Sequence, residues 1–131
     1  MTDHEEAIFP PVALAVREEL TFPAWATRGC EALALDERDA DAYVDIMERG
    51  ADRCRLLGYA DAVQGGIAEL ATEATGRPAA DVDSWRLLLQ ICSEDAAQMM
   101  WGDVGFLYVV MPEDAMRAHR WEDAWLVMEC S

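Results

Sequence analysis

"WRLLLQICSEDAAQMMWGDVGFLYVVMPEDA", residues 85–115, decides the fold. Its first part alternates, with Trp85, Leu87, Leu89 and Ile91 on one side of an extended chain and Arg86, Leu88, Gln90 and Cys92 on the other. A period of two is the strand's period. Leu88 and Cys92 make the second side partly apolar, as in a strand covered on both faces. Residues 104–111 repeat the pattern with Val104, Phe106, Tyr108 and Val110. Two strands with a short connection between them predict an antiparallel pair.

The connection carries Trp101-Gly102-Asp103-Val104-Gly105, which has two readings. As a site, Asp103 is a general base or ligand, the glycines admit a substrate and Trp101 is a stacking wall. As a corner, a glycine supplies positive φ, Asp103 bonds backbone amides in an Asx turn and Trp101 covers the end of the core. The corner is favoured, because one aspartate without a nearby histidine or partner carboxylate does little chemistry.

Working outward, "AWLVMEC" (residues 124–130) is a further strand, and "PEDAMRAHRW" (112–121) a short helix begun by Pro112. "IAELATEATG" (67–76) is a short helix closed by Gly76, followed by the connector "RPAADVD". The clearest helix is "DERDADAYVDIMERGADRCRLLG", residues 36–58. Acids crowd its start, arginines its end, and Tyr43, Ile46/Met47, Gly50/Ala51 and Cys54 form an apolar stripe, with Gly58 as the cap. Val12, Leu14 and Val16, bracketed by Pro10-Pro11 and Pro23, predict a first strand; a helix over residues 12–19 competes with it. The fold class expected is α+β, a mostly antiparallel sheet with one longer and two short helices packed against it. Residues 1–8 are expected as a tail and 9–131 as a single domain.

The chain of 131 residues carries 26 acidic and 10 basic side chains, all of the latter arginine, for a formal net charge of −16. Direct binding to nucleic acid or to anionic membranes is disfavoured, since few cations are present to displace counterions. A basic protein partner is allowed, and steering toward one would be fast at low salt; the competing account is that the charge only keeps a small domain soluble. No apolar run approaches the ~20 residues of a membrane span, and the acidic N-terminus does not read as an export signal, so the cytoplasm is the expected location. Cys30, Cys54, Cys92 and Cys130 form no C-x-x-C pair, and His4 and His119 lie at no ligand spacing from them; a metal site and a disulfide framework are not expected. A cysteine–histidine enzyme using His119 is disfavoured. "VQGG" (63–66) invites a phosphate-loop reading, but the chain has no lysine and its flanks are acidic; Gln64 pairing with neighbouring backbone is the ordinary account.

"REELTFP", "RLLGYADAVQGG", "WRLLLQICSEDAAQMMWGDVGFLYVVMPEDA" and "WEDAWLVMEC" occur in the order of the motifs of the YwqG-like family of bacterial proteins, which the chain resembles over most of residues 11–130. The resemblance is to the C-terminal half of such proteins. It implies an α+β fold and a family of uncharacterised function, with some members suspected in toxin–immunity systems, and it carries over no catalytic residue. The chain departs from the family pattern at Cys54, where a histidine is usual, and at Cys92, where an aspartate is. Ala60 and Ala62 replace prolines and Gly66 an acid.

These readings lead to a non-enzymatic acidic binding protein of inhibitor or immunity type that occludes a protein partner and requires no cofactor. Asp41, Asp45, Glu48 and Asp52 on the long helix, with Glu94, Asp95, Asp103 and Trp101 on the inter-strand connection, are the candidate partner-binding residues; homodimerisation is an open alternative cover for exposed apolar surface. Two other function classes compete: a nucleic-acid mimic, such as a phage-encoded inhibitor of a CRISPR effector, and an enzyme using the Asp103 loop.

Overall fold

The computed structural model describes residues 8–23, 28–49 and 54–130. In chain order the elements are α1 (Arg28–Glu31), α2 (Glu37–Arg49), β1 (Arg55–Leu56), α3 (Ile67–Ala74), β2 (Trp85–Cys92), β3 (Phe106–Pro112), α4 (Glu113–Arg117) and β4 (Trp125–Glu129). The strands form one antiparallel sheet in the order β1-β2-β3-β4. The α+β expectation holds.

The inner face of the sheet carries the core. Trp85, Leu87, Cys92, Phe106, Tyr108, Val110 and Val127 pack with Ile67 and Ala71 of α3. Trp85 donates its indole N–H to Thr72 Oγ1 at 2.9 Å, and Thr72 in turn donates to the Ala68 carbonyl at 2.7 Å. The buried indole thus finds a polar partner on the helix that covers it. Gly76, at φ +66, ends this helix as expected, with the Arg77 amide donating to the Thr72 carbonyl at 3.0 Å. The connector that follows winds into a 3₁₀ helix, Ala79–Ser84, which packs on α3. On the other side, α4 and the 3₁₀ turn Trp121–Asp123 pack against β3, where Met111 and Ala115 are fully buried.

Four expectations are corrected. Residues 12–16 form no strand: residues 8–23 have no regular element, and Val12, Leu14 and Val16 are exposed. A period of two specifies a strand only where a neighbouring strand takes up its backbone groups. The long helix is Glu37–Arg49, and beyond the undescribed residues 50–53 the chain pairs as β1, Arg55 with Gln90 and Leu56 with Leu89. Gly58, at φ +78 after Leu57 at +61, therefore turns the chain out of a strand rather than capping a helix. Val104, at φ +53, belongs to the corner and not to β3, and Pro112 closes β3 as the cap of α4 rather than beginning the helix.

The fourth correction is the largest. Leu87 pairs with Val110 but Leu89 with Val109, so Leu88 is an extra residue in β2. Such a bulge reverses the parity of everything beyond it. Trp85 and Leu87 face inward as expected, but Gln90 and Cys92 follow them, and Leu89 and Ile91 turn to the outer face.

Candidate functional site

The bulge builds an apolar outer face. Leu56, Leu89, Val109 and Leu126 lie in register across all four strands, and Ile91, Leu107 and Met128 form a second row beside them. Leu56, Leu126 and Met128 are 73%, 57% and 56% exposed, and Leu89, Ile91, Leu107 and Val109 are partly exposed. Isolated exposed leucines are ordinary, but two adjoining apolar rows on a sheet are the kind of patch that marks a contact surface.

The inner face is polar where burial is greatest. Arg55, Gln90 and Tyr108 stand opposite one another on β1, β2 and β3, with Glu129 on β4. Gln90 and Tyr108 are fully buried, and Glu129 is nearly so. They grip the loop 59–66. Gln90 accepts from the Asp61 amide and donates to Asp61 Oδ2, both at 2.9 Å; Arg55 pairs with Asp61 at 2.7 Å and donates to the Tyr59 carbonyl at 2.9 Å. The Tyr108 hydroxyl donates to the Asp61 carbonyl at 2.7 Å. Burial first, then the negative charges of Glu129 and Asp61, hold its pKa well above that of an ordinary tyrosine, so it remains a donor.

Glu129 Oε2 accepts from the amides of Val63 (2.7 Å) and Gln64 (3.3 Å), while Gln64 donates to the Cys130 carbonyl. The amides that invited a phosphate reading thus hold an anion from within the chain. Glu129 Oε1 and Arg55 Nε are buried without a hydrogen-bond partner. Sequence reasoning missed this cluster; the signal available was the placing of Gln90 and Glu129 inside otherwise apolar strands.

The candidate acids fall into two groups. Asp41 and Asp45 are exposed on α2, which is tied to the chain by Tyr43: its hydroxyl donates to the Pro23 carbonyl at 2.6 Å and its ring meets Phe22 edge-on at 6.2 Å. The Glu48 side chain and the whole of Asp52 lie outside the described residues. Glu94, Asp95, Trp101 and Asp103 share the β2–β3 connection. Glu94 caps the 3₁₀ turn Asp95–Ala97 by accepting from the Ala96 amide at 3.1 Å. Trp101 donates its indole N–H to the Cys92 carbonyl at 3.1 Å, its amide donates to Ser93 Oγ at 3.0 Å, and Phe9 meets its ring edge-on at 5.6 Å. Asp103 is exposed at the tip, between Gly102 at φ +58 and Val104 at φ +53. A Cβ on Gly105 would collide with the Trp101 and Glu129 carbonyl oxygens, so strand packing demands that glycine.

His119 stacks on Trp121, with centroids 5.8 Å apart, and is exposed. Cys54 and Cys92, both departures from the family pattern, are in contact: their sulfurs are 2.8 Å apart. Cys130 lies just past β4, partly buried, rather than within the strand core. Among the described residues no group of three or more His, Cys, Asp or Glu side chains is disposed to hold a metal ion, and no helix is long and apolar enough to cross a membrane. A cavity of about 670 Å³ opens between Gly29 and Ala32, α3 and an inner-face floor of Trp85, Leu87 and Val110.

The profile of a family described as a domain of unknown function (DUF1963) matches residues 5–130, and the chain belongs to that family. This agrees with the resemblance to YwqG-like proteins. No curated protein matches the chain.

Proposed function

With membership of a family of unknown function as the premise, we propose that the protein is a non-enzymatic binding module that occludes a basic protein partner through the outer face of its sheet. The observation that carries this reading is the pair of apolar rows, Leu56–Leu89–Val109–Leu126 and Ile91–Leu107–Met128, of which Leu56, Leu126 and Met128 are more than half exposed and the rest partly so. Its centre supplies affinity by losing water on contact.

Charge selects the partner's sign. Arg38, Arg55, Arg77, Arg86, Arg117 and Arg120 each already hold a carboxylate of this chain, so the surplus acid gives the molecule its field. A partner with an apolar patch ringed by lysine or arginine is drawn to that field, and a second copy of the same chain is repelled. Asp41 and Asp45 on α2, and Glu94, Asp95 and Asp103 on the corner, supply steering.

The test compares immobilised wild-type chain with the Leu126→Asp variant, in nuclease-treated lysate of the source cells at two salt concentrations. A basic protein held by the wild type and released by the folded variant is the expected result. Retention unaffected by Leu126→Asp would sink the reading. So would a wild-type dimer, seen by light scattering, that the variant dissociates. A nucleic-acid-binding protein retained only at low salt, and lost on Asp41→Asn/Asp45→Asn instead, would point to phosphate mimicry.

A further inference from the structure

Two cysteines meet at the β1–β2 edge, and their contact stands apart from the binding reading. Cys54 immediately precedes β1 and is exposed; Cys92 is the last residue of β2 and is buried. They are 38 positions apart in sequence, yet their sulfurs are 2.8 Å apart and the Cys92 amide donates to the Cys54 sulfur at 3.2 Å. A disulfide requires an S–S length of ~2.0 Å, so a further approach of ~0.8 Å joins them. Residues at the end of an edge strand of two residues yield easily to such a shift.

We propose that Cys54 and Cys92 are a reversible thiol pair that a hydroperoxide converts to a disulfide. Cys54 is the sulfur that reacts with the peroxide first, because it is the exposed one. Burial, and then the hydrogen bond its thiol makes with Cys54, hold Cys92 as a thiol and spare it the first oxidation; it gives up that proton only as the S–S bond forms. The Cys54 thiol and hydrogen peroxide give a sulfenic acid and one water. The Cys92 sulfur then attacks the sulfenic sulfur: the S–O bond breaks, the S–S bond forms, and the hydroxyl leaves with the Cys92 proton as a second water. Two thiols are oxidised by two electrons and one peroxide is reduced. A small-molecule dithiol reverses the change by exchange.

Cys30 and Cys130 serve as internal controls: Cys30 is buried, and Cys130 lies against Gly102. The reduced chain is treated with hydrogen peroxide at neutral pH, alkylated, cleaved on the amino side of aspartate without reduction, and weighed. The expected product is a linked pair of peptides containing Cys54 and Cys92, with Cys30 and Cys130 alkylated, and full alkylation of all four cysteines after dithiothreitol. The oxidised chain should unfold at a temperature higher by on the order of 10 °C. In the Cys92→Ser variant, Cys54 should stop at a sulfenic acid that dimedone traps. Peroxide-treated wild type in which both cysteines remain alkylatable, or in which Cys54 links elsewhere or runs on to sulfinic acid, overturns the proposal.

Discussion

The two faces of one sheet each break the usual division between polar and apolar, the inner one beside an otherwise apolar core. The inner face, under α3 and the loop 59–66, buries Arg55, Gln90, Tyr108 and Glu129. The outer face presents leucine, isoleucine, valine and methionine to water. Each departure has its own physical reason. A buried polar group is tolerated when it is hydrogen-bonded, and here the bonds hold an irregular loop whose own amides and carbonyls would otherwise go unpaired. An exposed apolar row gains little from folding alone, and the proposed contact with a partner is what would bury it. Burial therefore marks what stabilises this molecule, and the exposed apolar rows mark the surface proposed to bind.

The strongest way to break the comparison is at Tyr108. Tyr108→Ala removes a fully buried ring and the donor to the Asp61 carbonyl, and should destabilise the fold by about 3–5 kcal/mol in urea titration. Met128→Ala on the outer face should change stability by less than about 1 kcal/mol. Glu129→Ala comes next. It leaves the Val63 and Gln64 amides without their acceptor and should cost about 2–4 kcal/mol, with faster amide exchange confined to residues 61–66.

The third test is pH. The folded-state pKa of Tyr108 lies above the ~10 of an unfolded tyrosine. The stability tied to its neutral form is therefore complete below pH ~10 and is lost as the pH rises through the folded value. Urea midpoints should hold level up to pH ~10 and fall above it, and Tyr108→Phe should flatten that fall while lowering stability at neutral pH. The smallest effect sharpens the contrast from the other side: Leu126→Asp should leave stability within about 0.5 kcal/mol of wild type while removing partner retention.

The sequence made β2, β3, β4 and α3 readable because in each an apolar period persists over a useful length and ends at a turn or capping residue. It did not reveal β1, because Arg55-Leu56 continues a run of helix formers and becomes a strand only through Gln90 and Leu89. Residues 12–16 misled in the opposite way, having the period without the neighbour. Of the candidate site, Trp101, Gly102 and Gly105 were legible as parts of a corner, since glycine acts locally, whereas Glu94, read as a partner-binding acid, caps the 3₁₀ turn there. The apolar rows were not, because three consecutive leucines give no sign of which one is the extra residue. Nor was the link from Glu129 to residues 63 and 64, which lie more than sixty positions away.

That extra residue, Leu88, makes inside and outside in this protein a question of counting. Each residue added to or removed from a strand toggles the orientation of all that follow, and β2 has been toggled once in mid-course. Deleting one leucine from Leu87-Leu88-Leu89 would hardly alter the composition or the hydropathy of the chain. It would nevertheless offer Gln90 and Cys92 to solvent, deprive loop 59–66 of its glutamine clamp, interrupt both apolar rows and part the two sulfurs. Chain length at this one point, more than the identity of any side chain, keeps the interior, the outer apolar rows and the cysteine contact mutually consistent.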